Sequence, residues 1–321
     1  MTRNSAEPVI VSTSHAHAAT ARRLGILAVA AAAVSFASVP LPAKQAYAHD
    51  IDPFALVAWR FVLGALMLWV VVGIRIARGL QTLPPRRDVF RLLFLGAVVL
   101  SGEVLLFFLA LERIGVGLDE VLLYLYPVWV VVIAAVVLRV AVSRAVVVCS
   151  VIAVVGAALT AGGAVRGGAD LLSVVMALVA SVGFATYVVL SGRWVSKAGS
   201  LITTALTVSG TAIAFALLAL VSGARGPHDM TGWISAFAMA LIGTGLAFGL
   251  LTFGLHRLPS PDVAVIATIE PAVAVVLGVV LLGESVGVVQ LVGVVLILGS
   301  VAVLMRQEAK VDLIDPVTAH E

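Results

Sequence analysis

Apolar residues in this chain fall in long unbroken runs, and most of the polar ones are confined to short gaps between them. A helix needs about 20 apolar residues to cross the hydrocarbon core of a bilayer. Runs of about that length occupy, to within a few residues, positions 24–46, 54–77, 89–111, 117–138, 145–163, 171–192, 201–222, 232–255, 262–282 and 286–305. The gaps hold turn formers: Leu83-Pro84-Pro85, Gly167-Gly168, Gly223 to Pro227, and Pro259-Ser260-Pro261. Hydrocarbon offers no water to unpaired backbone groups, so each run is predicted to be a helix with antiparallel neighbours. The expectation is an all-α integral membrane protein with ten transmembrane helices.

The pattern also repeats. Displaced by the 144 positions that separate Pro127 from Pro271, the segment 110–140 lies on 254–284 without a gap. Leu111 then meets Leu255, Arg113 meets Arg257 and Val121 meets Val265. Matches of Val and Leu carry little weight in so apolar a chain; the paired prolines and the Leu-x-Arg preceding each run carry more. The chain accordingly divides into a tail at 1–23, five helices in 24–163, five more in 171–305 and a tail at 306–321. A five-helix unit repeated in tandem must start from the opposite face, so the halves are expected to be inverted repeats, an arrangement used by alternating-access transporters. Residues 24–46 also fit a secretory leader cleaved after Ala46-Tyr47-Ala48. The repeat favours its retention as a helix.

Composition agrees: 62% of residues are hydrophobic and 12% charged, with a mean hydropathy of +1.17. That excludes an ordinary soluble domain. The net charge of +3 does not point to nucleic acid, because the basic residues are scattered singly. With the N-terminus in the cytoplasm, fifteen Lys and Arg fall on inner segments and four (Lys44, Arg113, Arg166, Arg225) on outer ones, Arg60 lying within a span. This positive-inside bias puts both termini in the cytoplasm, with the chain in the cell (inner) membrane. Cys149 stands alone in an apolar run and reads as packing. The histidines (His15, His17, His49, His228, His256, His320) are dispersed, so no metal, cofactor or catalytic cluster is expected. The expected partners are a small-molecule substrate and the bilayer; a homodimer is left open.

Candidate chemistry is sparse. Pro127 and Pro271 lie near the centres of their runs, where proline frees the carbonyl four residues back, that of Leu123 or Ala267. Glu270 sits beside Pro271, and an acid at that depth should face protein or a wet cavity. It reads either as a coupling or substrate-amine site or as a structural acid. Glu103 and Arg60, of opposite sign in neighbouring spans, are expected to pair directly or through water, although Arg60 is close enough to its helix start to snorkel. Tyr126 and Trp129 are one turn apart and could line a cavity beside Pro127; Tyr124 falls on nearly the opposite side. Tyr187, one turn from Phe184, is the matching aromatic of the second half. Trp59, Trp69, Trp194 and Trp233 lie near run ends, as in an aromatic belt. Gly245 and Gly249 form a small-xxx-small pair suited to close helix packing, and Glu284 reads as a helix cap before the last span.

Several of these marks are similar to those of EamA-type transporters of the drug/metabolite transporter superfamily. They are Pro-Phe-Ala-Leu-Val-Ala-Trp-Arg-Phe at 53–61, Ala185-Thr186-Tyr187, Glu270-Pro271, and Leu282-Gly283-Glu284. The resemblance covers roughly 24–305 and implies two five-helix units that export small metabolites such as amino acids or move other small organic solutes. Two departures stand out: Tyr126-Pro127 replaces Glu-Pro in the first half, and Arg139-Val140 replaces Gly-Glu. A secondary transporter, with a proton-linked cycle as one option, is the leading expectation; a passive channel or an integral membrane enzyme are the alternatives.

Overall fold

The structure, a computed structural model, describes residues 7–114, 116–139, 141–160, 171–282 and 287–314; Val140, Arg166, Gly167, Gly168, Gly283 and Glu284 lie outside them. Every regular element among the described residues is helical. Helix α1 (Glu7–Ala37) is prolonged beyond a bend by Pro40–Tyr47. It begins well ahead of the apolar run, because nothing after Pro8 breaks a helix and proline is tolerated in a first turn. Helix α2 is Pro53–Ala77, and α3 runs from Arg86 to Ile114 through a π-helical stretch at Leu95–Leu100. Helix α4 comes in two pieces, Val116–Leu123 and Tyr126–Val136. Helices α5 (Arg144–Thr160), α6 (Leu171–Ala198) and α7 (Ser200–Ser222) follow. Helix α8 runs from Met230 to Leu255 through a π-helical stretch at Met239–Leu246. Helix α9 is again in two pieces, Ser260–Ala267 and Ile269–Leu282, and α10 is Val288–Ile314.

Seven of these helices are long and apolar enough to cross a membrane; the apolar stretches Val121–Val136, Arg144–Thr160 and Val288–Leu304 are shorter. Broad rows of exposed valine and leucine, such as Val147, Val151, Leu291 and Val295, fit contact with lipid rather than water.

The helices pack in matched pairs. Helix α2 lies along α7, and α5 along α10. Helix α1 packs on α8 and on both pieces of α9, while α6 packs on α3 and on both pieces of α4. Helix α2 also crosses the π-helical stretch of α8, and α7 crosses that of α3. Leu95 and Met239, where the two stretches begin, are separated by the same interval as Pro127 and Pro271. A π turn misaligns its carbonyls and exposes them to other donors. One carbonyl in each stretch is met by a side chain from the crossing helix: Thr211 Oγ1 donates to Gly96 O at 3.0 Å, beside Ser101 Oγ of the same helix at 2.8 Å, and Arg60 Nη2 donates to Gly243 O at 2.7 Å.

Close contact is made where glycine removes the side chain, though not at the pair singled out from the sequence. A Cβ on Gly210 would overlap the backbone of Leu93 and Ala97, and one on Gly156 would come within 2.9 Å of the Gly293 carbonyl oxygen. By contrast, a Cβ on Gly249 would meet nothing within 4 Å, and one on Gly245 only the carbonyl oxygen of Ala240 in its own helix, at 3.5 Å. Spacing alone cannot tell which face of a helix meets a neighbour. Gly210→Val should therefore lower the melting temperature of the detergent-solubilised protein by an amount corresponding to at least about 1–3 kcal/mol. Gly249→Ala should leave it unchanged; equal effects would remove the packing assignment.

Candidate functional site

The breaks in α4 and α9 arise where proline cannot continue a helix, and in each the second piece starts at or just before the proline. Pro127 occupies the first turn of Tyr126–Val136, and Pro271 is the third residue of Ile269–Leu282. In a first turn the missing N–H would have had no intrahelical partner, so the proline is well tolerated. What remains is a set of carbonyls at the ends of the preceding pieces, each costing several kcal/mol if left bare in hydrocarbon. Hydroxyl groups answer them. Ser181 of α6 donates to Leu123 O at 3.0 Å, the acceptor that the proline rule identifies. Tyr126 of α4 donates to Ala264 O of α9 at 3.2 Å, and Thr268 Oγ1 adds a bond at 2.6 Å to Val265 O, which also accepts Thr268 N at 3.2 Å. The Tyr126 bond joins one break to the other.

The charged residues gather beside this junction. Arg60, on α2, donates Nε to Thr244 Oγ1 at 2.9 Å besides its bond to Gly243 O, and its guanidinium carbon lies 5.3 Å from the centre of the Phe61 ring. Its hydrogen bonds therefore fix it to α8. Glu103, on α3 just after the π-helical stretch, is only 8% exposed. It is accommodated by Gly183 of α6, where a Cβ would come within 3.1 Å of the Glu103 Cβ. Glu103 is the carboxylate that acts most strongly on Arg60, followed by Glu270. Asp119 and Glu270 both act on Glu103, and Glu270 also acts on Tyr126. Arg60, Glu103, Glu270 and Tyr126 thus belong to one electrostatic neighbourhood, drawn from α2, α3, α9 and α4.

A row of aromatic rings leads away from it. Tyr126 meets Phe184 edge-on at 4.9 Å, Phe184 stacks near Tyr187 at 6.2 Å, and Tyr187 meets Phe248 edge-on at 5.8 Å. Tyr187 is fully buried. Its hydroxyl lies beside Thr207 and Ser191 without forming a hydrogen bond of good geometry with a described residue. Trp129 packs at the margin of the core with its indole N–H buried and likewise unbonded among the described residues. Tyr124 does not point away from Tyr126: both are buried, with ring centres 6.4 Å apart. The rule that places alternate helical residues on opposite sides does not apply across a break. Ser181 was missed by the sequence reading. Its signal was the orphan carbonyl of Leu123, which demanded a hydroxyl from a neighbouring helix.

At the end of the bundle where α1 and α7 finish, the connections cross over each other. Asp52 N donates to Arg225 O at 3.0 Å, and the Trp59 and Trp233 rings meet at 4.8 Å. His49 Nδ1 and Asp229 Oδ2 are 2.5 Å apart. Asp229 also caps α8, accepting from Gly232 N at 2.7 Å. That backbone bond first, and the His49 ring second, hold the Asp229 carboxyl below its ordinary range. A lowered folded pKa adds stability above the ordinary carboxylate range, and the contribution disappears as pH falls through the lowered value. The melting temperature of Asp229→Asn should consequently fall short of wild type at neutral pH and converge with it on acidification. A constant gap across the titration would contradict this.

The model of the EamA-like transporter family matches twice, at residues 23–162 and 171–306. A Bacillus subtilis (strain 168) protein named "Uncharacterized transporter YcbK" is 26% identical over 278 residues, covering 81% of this chain and 86% of its own length. A solved crystal structure whose title names no function shares the fold, with a TM-score of 0.77 over 91% of this chain and 99% of that one at 20% identity. With its apolar helices and these two matches, the chain is a multi-pass membrane protein that belongs to the EamA-like transporter family.

Proposed function

We propose that the protein is a secondary transporter of the inner membrane, with ten spans in two inverted five-helix repeats and both termini cytoplasmic, that exports a small organic metabolite such as an amino acid by alternating access. The single observation that carries the reading is the junction of the two broken helices, where Tyr126 of α4 bonds to the end of the first piece of α9. Charged residues from both halves lie beside it. Inverted repeats with broken helices meeting at mid-membrane form the substrate sites of many carriers. The paired family match, the matched packing of helices and the common interval between the π-helical stretches support the repeat. In this reading Glu270 and Glu103 are the groups that would take a proton during the cycle, and Tyr126, Trp129 and Tyr187 line the path.

Full-length protein in liposomes, tested against a panel of radiolabelled amino acids, should give saturable flux with counter-exchange; ohmic current would indicate a channel instead. Glu270→Gln should lower proton-linked flux at least tenfold and flatten its pH profile. Wild-type rate and profile in that variant would remove Glu270 from the mechanism.

A further inference from the structure

Where α4 and α6 finish and α9 begins, the bundle surface opens into a cavity of about 470 Å³. Its lining includes Arg139, Arg193, Ser260 and the flanking Pro259 and Pro261, and no carboxylate among the described residues. A Cβ on Gly192 would come within 2.5 Å of Ser260 Oγ, which places that hydroxyl against the α6 backbone. Asp262, in the same turn as Ser260, is buried and lies under the charge of Arg22.

Arg139 adds an independent observation. Its φ is +54°, one of two non-glycine residues with positive φ among those described. Residues other than glycine, asparagine and aspartate seldom adopt that region, and strain of this kind collects at functional positions. Its counterpart in the second half of the sequence is Gly283, the residue type that makes such a turn without strain. The turn itself therefore gives no reason for an arginine; the positive-inside bias favours a basic residue at this end but not in a strained conformation. The cavity supplies a reason, since Arg139 and Arg193, both exposed, line the same opening and no carboxylate among the described residues lines it with them.

We propose that this cavity is a vestibule in which Arg139 and Arg193, with the Ser260 hydroxyl, take the carboxylate of the transported solute before it reaches the broken helices. The assignment rests on the transport reading and narrows the substrate class to solutes bearing a carboxylate. A lipid phosphate offers related anionic chemistry, so the test separates the two. Full-length protein in phosphatidylcholine nanodiscs is melted with increasing N-acetylglycine or, as the uncharged control, N-acetylglycinamide. N-acetylglycine should raise the melting temperature and the amide should not. Half-saturation should weaken roughly tenfold or more in Arg139→Gly and in Arg193→Gln. Without ligand, Arg139→Gly should melt no lower than wild type, because the substitution relieves the backbone. Equal protection by acid and amide, undiminished protection in Arg139→Gly, or a melting temperature raised by phosphatidylglycerol in place of phosphatidylcholine with no protection by N-acetylglycine in either lipid would each overturn the proposal. Protection requires no turnover, so a protein that fails every flux assay yet passes this test would lose the transport reading and keep the anion site.

Discussion

The structure turns on the fact that a helix interrupted in hydrocarbon leaves carbonyls with nothing to bind. Water is not there to take them, and each bare carbonyl would cost several kcal/mol. Two interrupted helices could not persist unless other segments supplied donors at the right depth. Those donors are Ser181 of α6 and Tyr126 of the opposing break, while Thr268 adds a local bond within its own turn. Packing of α6 against both pieces of α4 is what brings the Ser181 hydroxyl to Leu123 O.

The π-helical stretches show the same logic. Each exposes a carbonyl, and each carbonyl is taken by a side chain from the helix that crosses it, Thr211 in one case and Arg60 in the other. For Arg60 the arrangement does two things together. It satisfies Gly243 O and it holds a guanidinium inside the bundle, close enough to Glu103 and Glu270 to feel both charges. A buried charge is tolerable when paired and hydrogen-bonded, and removing one partner costs more than the pair contributes. The polar bonds that hold the backbone together thus also place the charges.

Much of the architecture could be read from the sequence because the bilayer imposes a length and forbids everything except paired backbone. The apolar runs, the break positions and the identity of the Leu123 acceptor all follow from Pro127, Pro271 and the thickness of hydrocarbon. Side-chain direction around the breaks could not be read. Tyr124 and Tyr126 fall on opposite sides of a continuous helix and lie together in a discontinuous one. The π-helical stretches left no mark in composition, although their matched starts at Leu95 and Met239 follow the interval already visible between the prolines. Gly245 and Gly249 have the spacing of a packing motif but not the orientation. Gly210 makes the contact because it faces the backbone of α3.

The two breaks are matched in position and unlike in chemistry, and the difference matters more than the likeness. Where the second half has Glu270, the first has Tyr126, a neutral donor already engaged with Ala264 O. An ionised carboxylate in place of Tyr126 has no proton to donate and would leave the end of the first α9 piece without its cross-helix donor. With tyrosine on one side, the acid on the other can change its proton or partner while the link between the breaks stays intact. A symmetric Glu-Pro pair would have to give up one function to perform the other. Divergence at this position therefore places the cross-break bond on Tyr126 and leaves Glu270 outside it, so the two breaks are chemically unequal.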